Sequence, residues 1–243
     1  DEKISDQPFY LRSLWKKVIA GASALSAVSA HLANAIQQQF GVKKISIIPN
    51  VVDTSVFYPA TSLSNDTRFI HISGLAELKN PGTIIESFAI VTRTYPSAVL
   101  DIFGPGEKRL KDLAVELQAE KNIHFHSEIP QQQLAEFVRQ SLALVLYSSY
   151  ETFGCVIIEA NACGIPVVLS DIPVFHETVT EGINGIFVKP NDTGALAEGM
   201  IEMIKTRSSF NSKAIVSASS KYSYEKVGKQ FSDWYDEILS KRI

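Results

Sequence analysis

The chain has 243 residues, of which 45% are hydrophobic and 20% charged, and its formal net charge at pH 7 is -3. This composition supports a sizeable core, argues against disordered and fibrous classes, and offers no basic footprint for nucleic acid. No apolar run reaches the roughly 18 residues of a membrane span, and no signal peptide is visible. Cys155 and Cys163 lie two turns apart on one predicted helix, so we expect free thiols in a reducing compartment.

The first part of the chain predicts one β-α-β unit with an additional helix. Residues 14–41 suggest a helix, a short strand and a second helix, and residues 44–60 suggest a strand that leads into a linker rich in Pro and Asp. Such a unit is too small to form a stable sheet alone. We therefore expect it to be the tail of an α/β domain whose front is absent. The first residue is Asp1 rather than Met, so we expect the true N-terminus to lie upstream.

Strands and helices alternate through the rest of the chain. The predicted strands are apolar runs that end in turn residues, at 68–74, 98–104, 122–126, 142–148, 165–170 and 184–190. The predicted helices have apolar residues at helical spacing, at 80–96, 107–121, 131–141, after Gly154, at 192–206 with Asp192 as N-cap, and at 223–241. This alternation predicts a parallel sheet covered on both faces, with ligands beyond the carboxyl ends of its strands.

The segment 150–164, YETFGCVIIEANACG, carries the clearest chemical signal. Glu159 lies in the middle of a helix that is otherwise apolar or small, and a buried carboxylate is costly unless it is paired. Glu151 precedes that helix. Phe153 and Gly154 stand at its start, where unpaired N–H groups and the helix dipole favour phosphate. A phosphate site beside carboxylates that accept hydrogen bonds from hydroxyl groups is typical of a nucleotide-sugar site.

The segment 148–168, SSYETFGCVIIEANACGIPVV, closely resembles the donor-binding signature of retaining GT-B glycosyltransferases of family 4, the glycosyl transferases group 1. Several separate stretches agree with that family, so chance is a poor explanation. They are SALSAVSAHLANAIQQQFG, ISIIPNVVDTSVFYP, DIFGPGE, NIHFHSEIP and DIPVFHETVTEGINGIFVKPNDTGALAEGM. The resemblance implies an α/β fold, the Rossmann-like C-terminal half of a GT-B enzyme with a partial second α/β unit.

The resemblance also implies a domain organisation. Residues 1–58 would be the tail of the acceptor-side domain and the linker, 59–222 the nucleotide-sugar domain, and 223–243 a helix that returns to the N-terminal domain. The chain would then be a fragment, and the missing part of the N-terminal domain, which carries the acceptor pocket, would be one of its partners.

By the same resemblance, the site residues receive roles. Glu159 would hold the ribose hydroxyls of the donor, and Glu151 the hydroxyls of the transferred sugar. Lys79 would neutralise the leaving diphosphate, which makes Lys79 and Glu151 the candidate catalytic residues. The remaining candidates would contact the donor through the helix tip, the loop after the first donor-domain strand and the base loop: Phe153, Gly154, Cys155, Gly74, His126, Ser127 and Ile129.

The sequence departs from the family pattern at three places. The family usually has Gly-Arg-Leu after the first donor-domain strand, but here Leu75 follows Gly74, no arginine is present, and the loop is about one residue shorter. The usual Asn-Gly-Val-Asp of the linker is Asn-Val-Val-Asp at 50–53, and Ser127 stands where glycine is common. By the resemblance, the absence of this second phosphate-binding cation implies a changed catalytic rate or donor geometry.

Structural explanations compete with these roles. Glu159 could be hydrogen-bonded to a neighbouring loop, and Glu151 could be an acid that the helix dipole favours. The histidines in predicted strands are buried or rim residues by default, and only His126, at the carboxyl end of its strand, is a candidate for the base pocket. The cysteines fit a core role.

The function implied by the resemblance is transfer of a hexose, with retention, from a UDP-, GDP- or ADP-sugar to a hydroxyl of a polysaccharide or lipid-linked sugar. No cofactor or metal is expected, because no Asp-x-Asp signature lies in a strand-end loop. The alternatives are a nucleotide-binding module without activity in isolation, and another GT-B reaction such as nucleotide-sugar epimerisation. We expect a cytoplasmic location; basic residues beside Trp15 raise a peripheral membrane contact as an alternative to an ordinary surface helix.

Overall fold

The computed structural model describes residues 9–42, 44–61, 67–105 and 108–240, without the side chains of Phe9, Tyr10 and Arg12. Gly106 and Glu107 of the quoted DIFGPGE stretch lie outside the described residues. The described chain forms two compact units, one from the residues before Val51 together with those after Tyr224, and one from Val51 to Tyr224. The domain boundaries expected from the resemblance stay a prediction.

The first unit contains the predicted β-α-β arrangement. Strands β1 (Ser26–Ala27) and β2 (Ser46–Ile47) pair in parallel, and helix α2 (Ala30–Phe40) connects them. Ser29 caps α2 by accepting a hydrogen bond from the backbone N of Leu32, as a serine N-cap does. The unit also includes helix α1 (Phe9–Gly21) and, from Glu225 onward, helix α9 (Tyr224–Ser240).

The second unit is built on six parallel strands in the order β5-β4-β3-β6-β7-β8. Their bounds are β3 (Arg68–Ile72), β4 (Val99–Phe103), β5 (Ile123–His126), β6 (Ala143–Leu146), β7 (Val167–Ser170) and β8 (Gly185–Val188). Every residue of β6 and β7 is buried, which fits the near-continuous apolar runs that predicted a sheet covered on both faces. The predicted α/β fold with a parallel sheet is confirmed.

Helices connect these strands on both faces of the sheet. Their bounds are α3 (Pro81–Thr94), α4 (Lys108–Glu116), α5 (Gln131–Arg139), α6 (Cys155–Ala162), α7 (Thr193–Thr206) and α8 (Ser212–Ser219). Helix α3 packs against α4 and α7, whereas α6 packs against α5 and α8. Right-handed crossovers place these two groups on opposite faces, because the chain runs outward from β3 in one direction and outward from β6 in the other.

Two helices differ from the sequence-based expectation. Helix α4 ends at Glu116 rather than near residue 121, because Gln118 takes a left-handed conformation with φ of 58°. The backbone N of Ala119 then bonds to the carbonyl of Ala114 at 2.9 Å, a closing pattern of helix C-termini. Helix α8 was not predicted; Asn211 caps it by accepting hydrogen bonds from the first backbone N–H groups.

The order of the strands fixes where a ligand site can form. From β3 the chain proceeds to β4 and β5 on one side, and β6 then returns to the other side of β3. The junction of β3 and β6 is therefore the topological switch point, where the loops after the two strands diverge and leave a crevice. Among the described residues, no helix is long and apolar enough to cross a membrane.

Candidate functional site

An ion pair stands at the switch point. Lys79 ends a short 3-10 helix (Glu77–Lys79) that follows β3, and Glu151 lies in the loop that follows β6. The Nζ of Lys79 donates to Oε1 of Glu151, and the Oγ of Ser148 donates to the same oxygen at 3.3 Å. The two charged side chains are only 24% and 13% exposed. The structure thus brings the two candidate catalytic residues into direct contact.

Hydrogen bonds between the two loops hold this pair in place. The side-chain N of Asn80 donates to the carbonyl of Tyr147 at 3.0 Å and to the Oγ of Ser149 at 2.8 Å. The backbone N of Ser149 donates to the carbonyl of Leu78 at 2.8 Å. Asn80 has a left-handed backbone, with φ of 48°, which turns the chain directly into α3. Sequence reasoning missed Asn80, although asparagine is among the few residues that adopt this conformation readily.

Gly154 is the N-cap of α6, and its left-handed backbone favours glycine. Its φ is 88°, and a Cβ at this position would lie 2.8 Å from Cδ1 of Ile157 and 3.3 Å from a ring atom of Phe175. The side chain of Phe153 is buried and packs edge-on against Tyr222, so only its backbone remains for a ligand. Cys155, the first residue of α6, is exposed. The helix tip therefore presents mainly backbone groups, as expected for an anion site.

Glu159 lies one helical turn beyond this tip. Its side chain is half-buried, and the residues before and after it in α6, Ile158 and Ala160, are buried and apolar. Within the described part of the chain, no hydrogen bond or ion pair to its carboxylate is found. Burial raises the pKa of Glu159 from its ordinary value of 4.5 to about 7. The alternative that a neighbouring loop satisfies this carboxylate is therefore not what the described residues show.

A pocket of about 280 Å³ opens beyond the carboxyl ends of β3 and β4. Gly74 and Ile129 line it, together with Ser73, Phe103 and Glu128 among others. Two predicted donor residues, His126 and Ser127, are not among its lining residues, although Ser127 is exposed in the adjacent loop. The pocket has the partly apolar lining of a small-ligand site, and its volume lies just below the usual lower limit of about 300 Å³ for such sites.

His126 points to a buried carboxylate. Its Nε2 lies 2.7 Å from Oδ1 of Asp101, and its ring stacks on Phe103 with a centroid distance of 4.4 Å. Arg68 donates to Oδ2 of Asp101 at 2.5 Å, and Nδ1 of His124 lies 3.5 Å from Oδ1. Since Phe103 lines the pocket, the ring of His126 contacts a residue of the pocket wall. Sequence reasoning missed this network because its members are on three neighbouring strands.

His71 is a second residue that sequence reasoning left as an ordinary strand histidine. It is fully buried, and its Nδ1 lies 2.9 Å from the carbonyl of Val145 while its Nε2 lies 2.8 Å from the Oγ of Ser73. A carbonyl only accepts, so Nδ1 carries the proton and Nε2 accepts from the serine. Ser73 in turn accepts from the backbone N of Leu75 at 3.0 Å. This chain of hydrogen bonds connects β6, β3 and the loop that follows β3.

The sequence is similar to characterised proteins over most of its length. A family model described as Glycosyl transferases group 1 matches residues 59–220, more than half of the chain. The chain is 26% identical to N-acetyl-alpha-D-glucosaminyl L-malate synthase of Bacillus anthracis, over 94% of this chain and 63% of that protein. It is 29% identical to the O-antigen chain mannosyltransferase RfbU of Salmonella typhimurium, over 76% of this chain and 52% of that protein. It thus spans roughly half to two thirds of these relatives.

Solved structures share the fold. The sucrose-phosphate synthase of Thermosynechococcus elongatus superposes with a TM-score of 0.85 at 20% identity, over 99% of this chain and 64% of that one. Anabaena Alr3699/HepE, in complex with UDP and glucose, superposes with a TM-score of 0.78 at 21% identity, over 89% of this chain and 64% of that one. These likenesses confirm the Rossmann-like architecture expected from the family resemblance.

Proposed function

Because the chain belongs to the glycosyl transferases group 1 family, we propose that it supplies the donor site of a retaining glycosyltransferase. The proposed reaction transfers a hexose from a UDP-, GDP- or ADP-sugar to a hydroxyl of a polysaccharide or a lipid-linked sugar. A mannosyltransferase is among the relatives, and the HepE structure contains UDP and glucose, which supports the donor class. A cytoplasmic location, with peripheral contact where lipid-linked acceptors lie, belongs to the same proposal.

Glu159 is the single observation that carries this proposal. A half-buried carboxylate without a partner in the described chain raises the free energy of the fold, and a ligand with two neighbouring hydroxyl groups would satisfy both of its oxygens. The ribose of a nucleotide is such a ligand. Hydrogen bonds from the ribose favour the charged carboxylate and so oppose the effect of burial on its pKa.

Lys79 and the tip of α6 then lie where the diphosphate would be. The lysine carries a full positive charge at the end of one loop, and the backbone N–H groups after Gly154 contribute the positive end of the helix dipole at the other. Both would stabilise the negative charge that develops on the leaving diphosphate as the glycosidic bond breaks. In this proposal Lys79 supplies that charge without a metal ion.

Glu151 would orient the transferred hexose. Its carboxylate is fixed by Ser148 and Lys79 at the switch point, and it accepts hydrogen bonds from sugar hydroxyl groups. The base would enter the pocket lined by Gly74, Phe103 and Ile129, next to the loop that contains Ser127. Most of the lining is glycine and apolar side chains, with Ser73 and Glu128 as polar members, so the backbone would supply much of the recognition of the base.

Calorimetric titration with UDP, GDP and ADP tests the proposal. We expect one of the three to bind the wild-type chain, and Glu159→Ala to weaken that binding at least about tenfold, since hydrogen bonds to a charged group contribute about 1.5–3 kcal/mol each. Glu136→Ala, at an exposed position of α5, is the matched control and should leave the affinity unchanged. Absence of binding by folded wild type, or undiminished binding by Glu159→Ala, would overturn the proposal.

A further inference from the structure

Within the chain itself, Lys79 and Glu151 bind each other. Their contact is not a chance meeting of two flexible surface side chains, because both are largely buried and the loops that carry them are joined by the hydrogen bonds of Asn80 and Ser149. Ser148 donates to the same oxygen of Glu151 as Lys79 does. The carboxylate is therefore held beside the ammonium group by the fold.

This arrangement has a consequence for any phosphate that approaches Lys79. A phosphate placed beside the lysine also comes close to Glu151, and like charges a few ångströms apart repel strongly in a partly buried site. The terminal phosphate of a nucleoside diphosphate is linked only to the inner phosphate and carries no ester substituent, so its charge is near -2 at neutral pH. In a nucleotide sugar the same phosphate is esterified and carries one charge fewer.

The two ligands also differ in what they offer Glu151. The hexose of a nucleotide sugar brings hydroxyl groups that donate hydrogen bonds to a carboxylate, and such charge-assisted bonds are strong. A nucleoside diphosphate brings none of them. Glu151 thus meets compensating donors in one ligand and only added negative charge in the other.

We propose that Glu151 is a specificity-determining residue that favours the nucleotide sugar over the nucleoside diphosphate, and so promotes release of the diphosphate product. This inference rests on the proposed function, because it presupposes that a donor nucleotide binds at Lys79. It adds that the ion pair within the chain competes with phosphate for the lysine. The carboxylate therefore acts on both ligands, in opposite directions.

The test measures how Glu151→Gln changes the affinity for each of the two ligands. Calorimetric titrations would use the nucleoside diphosphate that the wild type binds and, as the nucleotide sugar, the glucose derivative of that same nucleoside diphosphate. We expect the affinity for the diphosphate to rise by about tenfold, because Lys79 is freed and the repulsion is removed. The affinity for the nucleotide sugar should fall or stay constant, because its hydroxyl groups lose a charged acceptor.

Glu159→Gln is the matched control for this comparison. It changes the other carboxylate of the site, which in the proposed function contacts the ribose that both ligands share, so it should weaken both ligands by a similar factor. A loss of both ligands by the same factor in Glu151→Gln, or no change in either, would overturn the inference while leaving the proposed function intact. Absence of nucleotide binding by the wild type would overturn the proposed function itself.

A second variant covers the case in which Glu151→Gln does not fold. Lys79→Met leaves Glu151 without its cation, so the affinity for the nucleoside diphosphate should fall further than that for the nucleotide sugar, whose hydroxyl groups still satisfy the carboxylate. Equal losses of the two ligands in Lys79→Met would contradict the role assigned to Glu151.

Discussion

Strand β4 and helix α6 each carry one carboxylate in a largely apolar sequence, but the two carboxylates differ in their hydrogen-bond and ion-pair partners. Asp101 on β4 is 1% exposed and is bound by Arg68 and His126, with His124 nearby. Glu159 on α6 has no such partner in the described chain, and burial raises its pKa to about 7. A buried carboxylate with an arginine and further hydrogen-bond partners is part of the scaffold, whereas one without partners indicates a group that a ligand satisfies.

The largest effect is expected on the scaffold side. Asp101→Ala removes the carboxylate that pairs Arg68 and His126, and breaking a buried ion pair from one side costs about 3–5 kcal/mol. We expect the urea midpoint to fall accordingly, with Asp101→Asn showing a smaller loss because it keeps an acceptor. If Asp101→Ala were as stable as the wild type, Asp101 would be no more structural than Glu159, and the comparison would fail.

His71 sharpens the comparison with a buried group that the fold keeps neutral. Burial lowers the pKa of His71 from 6.5 to about 4. Between these two values the unfolded chain binds more protons than the native chain, so stability is lost as the pH falls through this range, by about 3 kcal/mol in total. Urea unfolding at pH 7 and pH 4.5 should show this loss in the wild type and a smaller one in His71→Asn. Equal losses of stability in the two proteins would rule out His71 as the cause of the pH dependence.

A smaller effect is expected at the tip of α6. Gly154→Ala combines a left-handed backbone with a Cβ that meets Ile157, and should cost about 1–3 kcal/mol and weaken nucleotide binding. Gly182→Ala is the control, since its φ is 73° and no atom lies within 4 Å of the added Cβ, so it should cost only about 1 kcal/mol and leave binding intact. If the two variants lost stability and nucleotide affinity equally, close packing at the tip of α6 would have no particular role.

The fold and part of the site follow from the sequence for physical reasons that can be named. Apolar runs that alternate with segments of helical periodicity predicted the parallel sheet. The strands of such a sheet are apolar throughout because both of its faces are covered. The apolar sequence around Glu159 predicted a buried and therefore energetically costly carboxylate, because a helix that is apolar on all sides is normally buried. The capping role of Asp192, which accepts from the backbone N of Ala195, was also predicted from the sequence and is confirmed.

Other features depend on contacts between distant segments. Lys79 and Glu151 are 72 residues apart, and each was assigned a role from the resemblance, but the order of the strands is what places them in contact. The Asp101 network joins neighbouring strands, and the sequence of a single strand does not show the register that aligns these residues. His126 was predicted to contact a donor because it ends a strand, but periodicity does not reveal the carboxylate that its ring binds.

The most direct test of the role of Glu159 is the unfolding free energy of the wild type and Glu159→Gln at pH 8 and pH 5. The native pKa of about 7 lies above the ordinary 4.5, so the native chain binds more protons across this window and its stability falls as the pH rises through it. Glu159→Gln should therefore be more stable than the wild type by roughly 1–3 kcal/mol at pH 8, with a smaller difference at pH 5.

A saturating concentration of the bound nucleotide, added at pH 8, should reduce or reverse this difference, because binding stabilises the native wild type more than the variant. A variant that is less stable than the wild type at pH 8 without nucleotide would show that the carboxylate is already satisfied by the protein, and would contradict the account of the site.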